Sequence, residues 1–333
     1  MHRQANGRGP VRRTVLTAGL GLFAAVASGC GLRLDRDPAM PELSPVDVLR
    51  DAVARSFAAT TADGVAAEAI AVLSAAVGPP WDPPDGLAEP VAPPNPDPGP
   101  LTAAEGLADA ARRVVDASPQ LGRGTGPTGV VLADVAVGAL LHLDDVDAEA
   151  AAAIRADIAP AMRAALDAVE ADAAGAAAAT PPAPGASADG RAEGEDEHPL
   201  VGLVTASHIA EYAYERAAVH LPEDSAARRG AHARLDGLSG VAAIAPTLAD
   251  GVTVPSNRPA WELDPRPEDA ATALAALRAA EDALLAQVWR ARGSIPPAVL
   301  LSWSDDSARA RERADGFQDL RFEVGRRRPE EDG

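Results

Sequence analysis

Lysine is missing from this chain, and all 30 of its cationic residues are arginine. Against 49 Asp and Glu they leave a formal charge of −19. That balance excludes nucleic acid as a partner, because phosphate backbones demand a basic patch. A single cysteine, Cys30, rules out an internal disulfide and any metal cage built on thiolates. Aromatics amount to 3%, too few for a stacking platform or a sugar-binding cleft. No run of about 18 uninterrupted apolar residues occurs, so no segment of the mature chain reads as a membrane-spanning helix. Alternating β-branched runs are absent beyond Val252–Val254, which removes sheet architectures. What is present is alanine in abundance and 47% apolar residues over 333 positions, enough for two small domains or one large one.

The first thirty residues read as an address. Arg3, Arg8, Arg12 and Arg13 form a basic segment without acids, and Val15–Ala27 is an apolar stretch too short to span a bilayer. Ala27-Ser28-Gly29-Cys30 resembles the lipobox of bacterial lipoproteins, which implies acylation of Cys30 and residues 1–29 as a signal peptide. Arg12-Arg13-Thr14-Val15-Leu16 resembles a twin-arginine (Tat) export signal. The expected location is the cell membrane, lipid-anchored on its extracytoplasmic face, with the membrane as a partner through Cys30. Loss of those four arginines moves the charge from −19 to −23, so the body is repelled by anionic headgroups.

Residues 30–42 are expected to be a tether and 43–172 a helical region. Ser44-Pro45 starts a helix with Val46, Leu49, Val53 and Phe57 at helical spacing. Val65–Val77 closes on Gly78. Residues 79–100 hold ten prolines and form an extended insert. Helices resume at 101–117, 128–143 and 147–170, the last to be kinked or split by Pro160. The Gly122–Gly126 cluster reads as an interhelical loop. The small, acidic stretch 173–197 buries too little to order itself and reads as a disordered linker. Four helices follow, near 200–220, 224–243, 267–292 and 297–322, and 323–333 is a charged tail. The fold class is all-α, with a C-terminal four-helix bundle preceded by a second helical region.

At about 100° per residue, Glu211, Glu215 and His208 fall on the apolar stripe set by Leu200, with Tyr214 on its flank. Glu281 falls inside the stripe of Leu274, Leu277, Leu284 and Val288. Two helices thus aim a carboxylate at the bundle axis, where an unpaired charge is costly. Arg228, about 20° from Leu235, is positioned to bridge them by forked hydrogen bonds. Iron or manganese on Glu211, Glu281, His208 and His232 is an alternative. The Glu-x-x-His pairs of di-iron bundles are missing, however, since Arg229 precedes His232 by three and Glu195–His198 lies in the acidic linker. A third reading leaves the acids at the edge of an alanine-rich stripe, snorkelling to water.

Ser207-His208-Ile209-Ala210-Glu211-Tyr212-Ala213-Tyr214, Ala231-His232-Ala233-Arg234-Leu235-Asp236 and Pro259-Ala260-Trp261-Glu262-Leu263 resemble the ferritin-like domain of unknown function found in actinobacterial exported proteins. The likeness covers about 198–322. It implies a ferritin-like bundle and no assigned activity; the family's acid before the histidine is Ser207 here. Phosphate loops, nucleophile elbows, His-Glu-x-x-His and EF-hand loops are absent, and no complete catalytic set is present. The expectation is therefore a lipid-anchored binding or scaffolding module without cofactor or metal, its protein or small-molecule partner unspecified. The alternative is a metal-binding ferritin-like protein or oxidoreductase.

Overall fold

Ser44 caps the first helix, α1 (Pro45–Ala58), by accepting a hydrogen bond from the Asp47 N–H, and Pro45 occupies the first helical position. A computed structural model describes residues 43–83, 93–121, 126–179, 198–248, 253 and 255–315. The expected signal peptide and tether, Cys30, residues 180–197 of the expected linker and 316–333 lie outside the described residues. The chain is all-α among the described residues, apart from one two-residue ladder.

The helices that follow are α2 (Gly64–Val77), α3 (Ala103–Ala117), α4 (Gly126–Val146) and α5 (Ala148–Ala179). The C-terminal half holds α6 (Pro199–Ala218), α7 (Ala226–Leu248), α8 (Ala270–Ala291) and α9 (Pro297–Asp315). Gly78 ends α2 at φ +81°, a conformation that side chains disfavour. Thr102 and Glu105 cap α3 reciprocally, and Asp269 and Thr272 do the same for α8. β1 (Thr60–Thr61) pairs in parallel with β2 (Leu101–Thr102). At the crossing, a Cβ on Gly106 would lie 1.9 Å from Thr60 Oγ1, so only glycine fits in this turn of α3.

Two expectations change. Pro160 does not split α5, which is one helix through Ala179 and includes 173–179 of the expected linker. Pro160 lies on the exposed side, where water can satisfy the carbonyl that its missing N–H leaves free. The proline-rich insert is not a free excursion where it is described. Asp51 accepts from the Trp81 N–H (2.7 Å) and from Asn95 Nδ2 (3.0 Å), while Arg55 donates to the Trp81 carbonyl (2.8 Å) and pairs with Asp97. Burial pushes the Asp51 carboxyl up, but hydrogen bonds from Asn95, Arg55 and Trp81 outweigh it and hold it below its ordinary value. Trp81, Asn95 and Asp97 therefore cover the polar face of α1, whose residues 51–57 are buried without interruption.

One apolar core runs through both halves. In the C-terminal half α6 packs on α7 and α8, and α9 packs on α8 and α7. The same α9 also packs on α4 and α5, and α5 touches α7. By length and composition α4 could cross a membrane, but 72% of its apolar window is buried inside the fold. Its neighbours are α1, α2, α3, α5 and α9, and it serves as the central core helix. With so much apolar surface shared, a chain cleaved at a protease site inserted between 180 and 197 is expected to keep its two fragments together. Co-elution in native gel filtration checks this, and separation without denaturant would contradict the shared core.

Candidate functional site: a charge network along the last helix

Residues 297–305 of α9 are buried without interruption, because the helix faces both halves of the molecule. Ser302, Ser304, Asp305 and Ser307 are thereby placed in the interior. Buried polar groups call for protein partners; Asp305 finds Arg155 and Arg309, Ser307 finds Glu281 and Arg234, and the Ser304 hydroxyl has no partner among the described residues.

Glu281 of α8 has no exposed surface. Its Oε1 accepts from Arg234 Nε (2.9 Å) and from the Tyr214 hydroxyl (2.8 Å). Its Oε2 accepts from Arg234 Nη2 (3.2 Å) and the Ser307 hydroxyl (2.8 Å). Arg234 Nη2 also donates to Ser307 Oγ at 3.2 Å. One carboxylate is thus held by a side chain from each of α6, α7 and α9, and its roughly four lone-pair sites are filled. Desolvation works against the Arg234 charge, but the adjacent Glu281 more than compensates and raises its affinity for the proton.

The chain of charges continues along α9. Arg234 Nη1 lies 3.9 Å from Asp306 Oδ2, beyond hydrogen-bond distance. Arg309 donates from Nη2 to Asp306 (2.7 Å) and from Nε to Asp305 (3.0 Å). Arg155 of α5 donates from Nε to both oxygens of Asp305 (3.0 and 3.1 Å) and forks onto Asp144 of α4 (2.6 and 2.7 Å). Burial pushes the Asp305 carboxyl above its ordinary value; Arg155 and Arg309 pull the other way without cancelling the effect.

Of the residues singled out in the sequence, Tyr214 and Glu281 meet in this network. Arg228 does not. It is half-buried and forms no ion pair among the described residues. The buried side of α7 is Ala231, Arg234, Leu238, Val241, Ala245 and Leu248, whereas Leu235 is only partly covered. Arg228 lies about 80° from Leu238 and Arg234 only about 40°, so Arg234 takes the inward place. Glu211 does not share a site with Glu281 either. Leu200 sits about 80° from Ala210, at the edge of the stripe rather than its centre, which carries Glu211 toward the rim. There His208 Nδ1 lies 3.3 Å from Glu211 Oε2, His208 Nε2 lies 3.3 Å from the Pro255 carbonyl, and Asn257 Nδ2 donates to Glu211 at 3.1 Å. Glu215 and His232 are exposed.

Of the four residues considered for iron or manganese only His208 and Glu211 meet, and the described residues contain no group of three or more His, Cys, Asp or Glu placed to hold a metal ion. Sequence reasoning missed Arg234, Ser307, Asp305, Arg155, Asp144 and Arg309. The one available signal was Leu300-Leu301-Ser302-Trp303-Ser304-Asp305-Asp306-Ser307, where polar residues follow directly on apolar ones without a helical solvent face.

Arg234→Ala is expected to cost about 3–5 kcal/mol at neutral pH, because it leaves Glu281 charged and dry. Glu281→Gln with Arg234→Ala is expected to be milder than Arg234→Ala alone, and the single variant to regain stability on acidification as the stranded charge is neutralised. Denaturant midpoints against pH check both. For Asp305 the sign is opposite to the usual carboxylate. With its folded value raised, the folded chain binds more protons between that value and the ordinary one, so stability rises as pH falls through the window. Asp305→Asn is expected to flatten that rise in a pH series of urea melts.

No family model matches the chain, and no curated protein or solved structure matches it.

Proposed function

We propose that the protein is a lipid-anchored, extracytoplasmic binding or scaffolding module whose C-terminal half is a ferritin-like four-helix bundle without a metal centre. Connectivity supports the bundle type. The connections 219–225 and 292–296 join α6 to α7 and α8 to α9. The longer 249–269 joins α7 to α8, and these two are not among the pairs that pack substantially. A single long crossover of that kind is the ferritin-like arrangement. The n-region, apolar stretch and Cys30 in register with a lipobox support the anchor.

One observation carries the non-catalytic reading. At the bundle centre, where dimetal proteins point carboxylates at metal ions, the inward carboxylate Glu281 is saturated by Arg234, Tyr214 and Ser307. An arginine stands where a cation would stand, and the same charge balance is met without one.

Two measurements on the full chain test this. Protein purified without chelator is expected to hold iron and manganese far below stoichiometry, with no change in Glu281→Gln; stoichiometric metal lost in that variant would overturn the reading. Cys30→Ala is expected to release the protein from membranes, and a variant that still pellets after a carbonate wash would remove the anchor.

A further inference from the structure

Beside the Glu281 network, α7 and α9 frame an open groove of about 400 Å³. Its lining includes Arg229, Gly230, Arg234, Gly237, Asp306 and Arg309. Three guanidinium groups line it with one carboxylate, Asp306, while Glu281 and Asp305 behind the lining pair with Arg234 and Arg309. The arginines are not equally committed. Arg234, 95% buried, spends Nε and Nη2 on Glu281 and Ser307, while among the described residues its Nη1 makes no hydrogen bond and has only the 3.9 Å approach of Asp306. Gly237 leaves the space beside that nitrogen open, since a Cβ there would come within 3.3 Å of Nη1. Arg229 is exposed, gives one N–H to the Asp224 carbonyl (2.7 Å), and forms no ion pair among the described residues. Arg309 uses Nε and Nη2 on Asp305 and Asp306, which leaves Nη1 for another acceptor.

We propose that this groove binds a phosphate-type oxyanion, received by Nη1 of Arg234 at its floor and by Arg229 and Arg309 at its walls. Guanidinium groups form strong charge-assisted bonds to such oxygens. A planar carboxylate is satisfied by a single fork, whereas donors arriving from three side chains on two helices suit a tetrahedral anion with several oxygens. The floor is preorganised, because Arg234 is fixed by Glu281 and loses no freedom when a ligand arrives. Asp306 opposes the ligand, and its pairing with Arg309 moderates that repulsion. The inference deepens the reading of a binding module and rests on it, but the two fail separately. Stoichiometric iron would overturn the non-metal reading and leave the groove untouched.

The same chemistry arises from a soluble phosphate or from a lipid headgroup. Inorganic phosphate and dihexanoyl phosphatidic acid, the latter below its micelle concentration, are titrated into the full chain in mild detergent, against chloride at matched ionic strength. Saturable binding is expected for at least one. Tighter phosphate binding assigns the soluble source, and tighter lipid binding assigns the headgroup. Arg229→Glu is expected to weaken binding by about tenfold or more, and Asp306→Asn to tighten it severalfold, a gain that misfolding cannot imitate. Arg216→Glu, an exposed arginine on α6 outside the groove, is expected to leave affinity unchanged. The proposal is overturned by binding no stronger than that of chloride, by equal losses in Arg216→Glu and Arg229→Glu, or by weaker binding in Asp306→Asn.

Discussion

Asp305 is the constraint around which the molecule is arranged. It sits on a helix whose residues 297–305 are buried without interruption, because α9 is packed against α4, α5, α7 and α8 together. A carboxylate in that position has no water to turn to, and the protein supplies Arg155 from the N-terminal half and Arg309 from one turn further along α9. Removing Arg155 leaves this buried carboxylate with Arg309 alone, so the docking of α5 against α9 and the ionisation of Asp305 depend on each other. The pull of burial on this carboxyl, which its arginines do not cancel, measures how far from solvent the seam between the halves lies. The two halves are accordingly joined by electrostatics as well as by apolar contact.

Glu281 extends the same logic into the C-terminal half. Much of that core is alanine, and small side chains leave each helix free to rotate about its axis with little loss of contact. A carboxylate that accepts from Tyr214 on α6, Arg234 on α7 and Ser307 on α9 removes this freedom, since a rotation of any one of those helices breaks a buried hydrogen bond. Such networks cost desolvation and return register. Together with the links through Asp306 and Arg309 to Asp305, the network runs from Tyr214 to Asp144 and ties six helices into one arrangement.

Much of the architecture is legible in the sequence, because helix boundaries are written in local chemistry. Ser44-Pro45, Gly78 and the capping residues mark ends by backbone hydrogen bonding and φ preference, which involve no distant residue. The inward placement of Glu281 is legible for a similar reason, as it stands between leucines at helical spacing. Arg234 is not, because in an alanine-rich helix a reference direction taken from Leu235 differs from the true one taken from Leu238 by about 60°. Asp51 and Arg55 carry no local mark of burial. Only the return of Trp81, Asn95 and Asp97 across α1 makes them interior. Asp305 is hidden most completely, since its partner Arg155 lies 150 residues away in sequence and no local pattern encodes a helix claimed by two halves.

The absence of lysine bears directly on this design. Arg55, Arg155 and Arg234 each serve several acceptors from one planar group. Arg155 forks onto Asp144 while its Nε meets Asp305, and Arg234 reaches Glu281 with two nitrogens and Ser307 with one of them. An ammonium presents one compact charge that is strongly hydrated and readily loses its proton when buried, so it cannot span two carboxylates on different helices in fixed geometry. Guanidinium also stays charged at the cost of burial, which these networks require because an uncharged partner would strand the acids. Each buried arginine carries an acid inward with it, leaving the net charge of the chain unchanged while removing cations from the surface. An arginine left outside such a pair, as Arg229 is, therefore stands in a field made negative by the rest of the chain. Among the described residues it has no acid partner and gives one N–H to the Asp224 carbonyl, so its remaining N–H groups are open to another acceptor.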